Sequence, residues 1–187
     1  MSNIRRIVFL MTSFFNRRYF EILGVQTLID NGFRVEIWDL TSFLTTDLYR
    51  TIKLPDMMEW EGLIRFPSEE RVLSAIDKLD SSCMVIPLNL HYGLDTFRIY
   101  RSLSRNRIPY AVLASIIPIS STRKEILRDR IRRINLKRLL NYLLVHLPYG
   151  FLGIRTADVL LAPGDRYITT GYPINGRSRV LWIHSPD

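Results

Sequence analysis

Arg5-Arg6-Ile7-Val8-Phe9-Leu10-Met11, then Thr12-Ser13-Phe14-Phe15-Asn16-Arg17, then Arg18-Tyr19-Phe20-Glu21-Ile22-Leu23-Gly24-Val25-Gln26-Thr27-Leu28-Ile29-Asp30-Asn31 read as strand, turn and helix. After its two arginines the first run is apolar, as a strand covered on both faces requires. In the third, Tyr19, Ile22, Leu23, Val25, Gln26 and Ile29 recur at helical spacing, which predicts a single helix over 18–31. Gly32 stands where a helix closes. Phe33-Arg34-Val35-Glu36-Ile37-Trp38 then alternates as a second strand. A strand, a crossover helix and a second strand form a βαβ unit, and that unit sets the fold class.

Working outward, the same alternation recurs. Residues 62–66 read as a short strand, and Ser68 before Glu69-Glu70-Arg71 reads as an N-cap opening a helix over 69–79. Further strands are expected at 83–88, 110–115, 157–162 and 179–184, with helices at 94–104 and about 122–147. The expected architecture is α/β: a Rossmann-like open, mostly parallel sheet with helices on both faces, forming a single domain over 1–187. Right-handed crossovers put every strand's carboxyl end on one edge, and ligands bind beyond that edge. The edge is expected to hold 12–17, 39–42, 89–93, 116–123, 163–166 and the terminal Ser185-Pro186-Asp187. The last strand-like run, Val180-Leu181-Trp182-Ile183, leads into His184, so a binding edge or a hinge to another domain is expected there.

Composition narrows the classes. A chain of 187 residues, 47% of them hydrophobic, can bury a core of its own. No run reaches the roughly 20 apolar residues of a bilayer crossing, and the opening residues carry no signal-peptide pattern, so a cytoplasmic protein is expected. The lone Cys83 excludes an internal disulfide and a cysteine zinc site, and its apolar run reads as buried strand. The net charge of +8 is concentrated in residues 101–150, where 11 Lys and Arg oppose 2 acidic residues. Arginine supplies 22 of the 26 basic residues, and its planar fork suits phosphate and carboxylate.

Several chemistries have no motif here. The turn 12–17 holds neither Gly-x-Gly-x-x-Gly nor a P-loop, which removes dinucleotide and NTP binding in their usual place. There is no Gly-x-Ser-x-Gly and no His-Glu-x-x-His, so no metal site and no cofactor are expected. His91 follows a strand end, the right place for a general base. His184 ends the last strand at the same edge, whereas His146, between Val145 and Leu147, reads as structural.

The expected helix at 122–147 is basic and amphipathic. Arg123, Lys124, Arg128, Arg130, Arg132, Arg133, Lys137 and Arg138 oppose only Glu125 and Asp129, and leucines and isoleucines supply an apolar stripe. Such a helix can lie on an anionic membrane or pack on a core with its basic face solvated. Nucleic acid is disfavoured, because no reading motif accompanies the charge.

Two stretches carry a resemblance. Arg6-Ile7-Val8-Phe9-Leu10-Met11-Thr12-Ser13 with Gly32-Phe33-Arg34-Val35-Glu36-Ile37-Trp38-Asp39-Leu40-Thr41, and Thr156-Ala157-Asp158-Val159-Leu160-Leu161-Ala162-Pro163-Gly164 with Val180-Leu181-Trp182-Ile183-His184-Ser185, resemble prokaryotic capsular and O-antigen biosynthesis proteins of glycosyltransferase type. The resemblance spans most of the chain through general patterns. It implies the amino-terminal, acceptor-side half of a GT-B fold, the carboxy-terminal donor-binding half being absent. Its expected partners are a lipid-linked sugar acceptor, an anionic membrane surface at the inner face of the cell membrane, and a second, donor-binding domain or subunit.

On that reading His91 is the catalytic candidate, and Thr12, Ser13, Asn16, Arg17, Arg18, Asn89, Tyr92, Arg123 and His184 are substrate-binding candidates. Lys124, Arg128, Arg132, Arg133, Lys137 and Arg138 form the expected anion-facing surface. The alternative is a non-catalytic Rossmann-like module binding a partner protein or an anionic surface.

Overall fold

The computed structural model describes residues 4–45, 57–113, 136–162, 172–176 and 178–182. In chain order the elements are β1 (Arg6–Met11), α1 (Arg17–Ile22), α2 (Val25–Asp30), β2 (Arg34–Asp39), α3 (Thr41–Leu44), β3 (Leu63–Arg65) and α4 (Glu69–Ile76). There follow β4 (Cys83–Leu88), α5 (Phe97–Arg105), β5 (Ala111–Leu113), α6 (Leu136–His146), a 3₁₀ turn (Tyr149–Leu152), β6 (Val159–Ala162) and β7 (Arg179–Trp182).

Four strands pair in the order β3-β2-β1-β4 and three in the order β5-β6-β7, every pair parallel. A parallel bridge between Val85 and Tyr110 links the two groups, with the Val85 N–H donating to the Pro109 carbonyl at 2.9 Å. Read through that bridge, the order is 3-2-1-4-5-6-7, a Rossmann-like open sheet whose direction of winding reverses between β1 and β4.

Alternation along β1 builds two layers. Val8 and Leu10 join Trp38, Val85, Val72, Ile76, Ile99, Tyr100 and Leu103 on one face, under α4 and α5. Ile7, Phe9 and Met11 join Val35, Ile37, Phe15 and Val25 on the other, under α1 and α2. The central strand is therefore apolar at every buried position, as the sequence pattern required.

Two carboxylates of β2, Glu36 and Asp39, enter the core. Glu36, only 3% exposed, accepts from the Arg6 guanidinium at 2.5 Å and from Trp38 Nε1 at 3.0 Å. The Arg34 guanidinium, 3.0 Å from the second carboxylate oxygen, adds a charge contact without hydrogen-bond geometry. Burial raises the Glu36 pKa, but these partners outweigh it and hold the carboxyl below its ordinary value. Cys83 beside it is buried, and desolvation pushes its thiol up to about 12, so it packs as an inert core residue.

Three expectations change. The single helix over 18–31 is two helices, because Gly24 takes a left-handed conformation (φ +60) that turns the chain and seats Val25 in the core. Ser68 occupies the N-cap of α4 without a capping bond from its side chain, and Glu69 and Glu70 supply the negative charge that the helix start favours. α5 begins at Phe97 rather than at 94, because the Thr96 hydroxyl accepts from the Gly93 N–H (3.0 Å) and donates to the His91 carbonyl (2.7 Å), holding 93–96 as a turn. The amino-terminal part of the helix expected at 122–147 lies outside the described residues; α6 is its carboxy-terminal part.

Candidate functional site

Met11 and Leu88 are register partners, so Thr12 and Asn89 leave adjacent parallel strands side by side at the point where the winding reverses. A cavity of about 1000 Å³ opens there. Thr12 and the end of α3 (Leu44, Thr45) form one side, residues 89–96 the floor, and Lys137, Leu139, Asn141, Tyr142, Val145 and His146 of α6 the other wall.

The floor loop is fixed by local bonds. Asn89 is left-handed (φ 55), which a short polar side chain tolerates. Leu90 is buried and its carbonyl accepts from the Tyr100 hydroxyl at 2.6 Å. His91 is exposed, its ring 5.0 Å from that of Tyr172. Tyr92 turns inward and is 3% exposed, with Tyr100 and Tyr149 edge-on at 5.7 and 5.3 Å. Burial, and then Tyr149, push its phenol up to about 12, and its buried hydroxyl meets no hydrogen-bond partner. Tyr92 thus forms the aromatic underside of the floor.

α6 is docked onto this loop by shape and one internal bond. A Cβ on Gly93 would come within 2.6 Å of Asn141 Oδ1, so glycine is what allows the close approach. The same oxygen accepts from the Leu94 N–H at 2.8 Å. Lys137 Nζ lies 2.9 Å from Asp95 Oδ1, a solvated pair that contributes little. The Tyr142 and His146 rings stack at 4.0 Å, and His146 Nδ1 is 2.7 Å from the Tyr142 carbonyl. A carbonyl only accepts, so this bond holds the proton on Nδ1 and leaves Nε2 as the basic nitrogen of the neutral ring.

Two features of a nucleotide-binding Rossmann domain are displaced. The turn after β1 is filled by Phe15, 2% exposed, against Phe20 and Trp60 at 6.3 and 5.9 Å, where a phosphate loop would need bare backbone. The carboxylate at the end of β2, Asp39, is consumed in starting α3, accepting from the Thr41 N–H at 2.8 Å and from the Thr41 hydroxyl.

Of the sequence candidates, Thr12, Asn89, His91 and Tyr92 meet at the cavity, and Lys137 joins them from α6. Ser13 is half-buried beside β1 and does not line the cavity. Asn16 is occupied as the N-cap of α1, accepting from the Tyr19 N–H at 3.0 Å. Arg17 pairs with Glu21 at 3.0 Å on the surface, and Arg18 is exposed on the same short helix. Arg123, His184, Lys124, Arg128, Arg132 and Arg133 lie outside the described residues, as does the side chain of Arg138.

His146, read from the sequence as structural, is exposed on the cavity wall. Sequence reasoning also missed Thr45, Asn141 and Tyr142; the available signal was Asn141, a single amide in an apolar helical run. Among the described residues no three His, Cys, Asp or Glu side chains gather to hold a metal ion. Searches for likeness to known proteins return nothing: no family model, curated protein or solved structure matches this chain.

Proposed function

We propose that this chain is the acceptor-side domain of a glycosyltransferase-like protein of cell-surface polysaccharide assembly, working at a membrane surface, and that the switch-point cavity receives the acceptor sugar. The observation that carries the reading is the character of the lining: hydroxyls of Thr12 and Thr45, amides of Asn89 and Asn141, and two imidazoles, with Tyr142 beside them. Amides and hydroxyls both donate and accept, which matches the mixed demands of a polyol, and an aromatic face suits the C–H face of a sugar ring. The aromatic-filled turn after β1 supports an acceptor role over a nucleotide-donor role.

In the transfer itself the acceptor oxygen bonds to the anomeric carbon of the donor sugar as that carbon's bond to the leaving phosphate oxygen breaks. The acceptor proton passes to His91, with His146 Nε2 as the second base available in the cavity. The donor comes from a second domain or subunit.

The test is titration of the full chain with a panel of mono- and disaccharides, followed by saturation-transfer NMR. Expected is contact that weakens about tenfold or more in Asn141→Ala and His91→Ala, since each removes a polar partner of a desolvated ligand group. If no saccharide contacts the protein, or if binding ignores both substitutions, the reading falls.

The second reading is a non-catalytic module that binds a partner or a surface. It is favoured by the apolar outer side of α6, and it predicts no saccharide contact at the cavity.

A further inference from the structure

α6 has two apolar sides and buries only one. Leu144 and Val145 pack on the core, and Asn141 is bonded to the floor loop. Leu136, Leu139, Leu140, Leu143 and Leu147 occupy another side, all between 45% and 68% exposed. At 3.6 residues per turn these five fall within an arc of about 100°, a single ridge along the helix. Phe151, in the 3₁₀ turn that follows, is 88% exposed. Scattered exposed leucines are ordinary on a protein surface, but a contiguous strip ending in a phenylalanine marks a surface that meets something apolar.

Charge selects the occupant. Residues 130–157 carry six Lys and Arg and no Asp or Glu. Basic residues are drawn to an anionic lipid surface, and a short helix with a leucine and phenylalanine side lies in the plane of such a surface. Lys137 and Arg155 are paired with Asp95 and Asp158, and the other four leave a basic excess in this stretch. Among the described residues no helix is long and apolar enough to cross a membrane, so the ridge offers contact in the plane of a bilayer.

We propose that the Leu136–Phe151 ridge docks onto an anionic lipid bilayer, with Phe151 and the outward leucines inserted at the headgroup boundary. This deepens the proposed function and rests on it only in taking the membrane as the place where the acceptor lies. Leu139 and Tyr142 line the cavity from the same helix, so docking brings the cavity mouth to the lipid surface. A headgroup sugar then enters the cavity while its apolar carrier stays in the bilayer.

The test uses the full chain with vesicles of phosphatidylcholine alone and with phosphatidylglycerol added. The expected result is co-sedimentation with the second kind only, weakened by salt. Leu140→Gln with Leu143→Gln should lower partitioning about tenfold or more, because the inserted apolar area is lost, and Phe151→Ala should lower it by less. Neither leucine lines the cavity, so thermal melting and saccharide contact should be unchanged in the double variant. Absence of sedimentation with anionic vesicles overturns the proposal, as does undiminished binding by the double variant. A solution dimer that the same substitutions dissociate also overturns it, by assigning the ridge to a second copy. Vesicle binding without any saccharide contact would leave this proposal standing and sink the acceptor reading alone.

Discussion

α5 and α6 are both amphipathic helices on the same face of the sheet, and they use their apolar residues in opposite ways. α5 buries Ile99, Tyr100 and Leu103 completely. Its polar groups are matched too: Arg98 pairs with Glu69 at 2.6 Å, and Ser102, Arg105 and Asn106 converge on Asp77. Among the described side chains of α6 none is fully buried, and most of its leucines point outward. The first helix holds the sheet together. The second is held by the sheet, and presents one flank to the cavity and another to its surroundings.

The sharpest way to break this contrast is to remove the same side chain from each helix. Leu103→Ala should cost about 2–5 kcal/mol, because a fully enclosed site leaves a cavity that cannot collapse. Leu143→Ala, at a position 51% exposed, should stay within about 0.5 kcal/mol. Denaturant unfolding of the two variants measures both. Equal losses would mean that the outer side of α6 is packed in solution, and the docking ridge would lose its basis.

The contrast extends to pH. Burial, and then the phenols of Tyr110, Tyr172 and Tyr149, hold the Tyr100 hydroxyl well above its ordinary value of 10.0. A raised phenol pKa means that the fold disfavours the phenolate. Its contribution is therefore fully present below the unfolded pKa of about 10 and is lost as pH rises toward the folded value. Tyr100→Phe should cost about 1–3 kcal/mol at neutral pH by leaving the Leu90 carbonyl without its donor. It should also reduce the alkaline loss of stability, with the remaining slope owed to Tyr110, Tyr92, Tyr149, Tyr172 and Cys83, which burial likewise raises. Stability curves against pH for the two proteins check this. An unchanged alkaline slope would place the ionising groups elsewhere than under α5.

How far these regions could be read from the sequence follows the same division. β1 and β4 were legible as short apolar runs suited to strands covered on both faces, and β2 by its alternation. The break at Gly24 was not, since apolar spacing continues across it and only the backbone angle separates α1 from α2. Thr12, Asn89 and His91 were found because they follow strand ends, a rule of topology alone. Asn141 and His146 escaped because the apolar residues around α6 cover more than one side, and spacing cannot tell which side meets the core. His146 then passes for a packed residue. What resolved it was tertiary: Gly93 admitting Asn141 against the loop, which fixes the rotation of α6.

That fixation supplies the smallest test. Lys137 and Asp95 are both more than three-fifths exposed, at 63% and 65% of the side chain, and a solvated pair of this kind contributes about 0–1 kcal/mol. Asn141 instead takes a half-buried N–H from the floor loop, and its loss leaves that donor without a partner, at about 1–2 kcal/mol. Lys137→Ala should therefore leave both stability and the hydrogen exchange of the Leu94 amide nearly unchanged. Asn141→Ala should speed that exchange selectively, with the amides of α5 keeping their protection. If the lysine variant loosens the Leu94 amide as much as the asparagine variant does, α6 is held by surface charge. Its orientation over the cavity would then vary with salt, and neither the cavity wall nor the outward ridge would keep a fixed face.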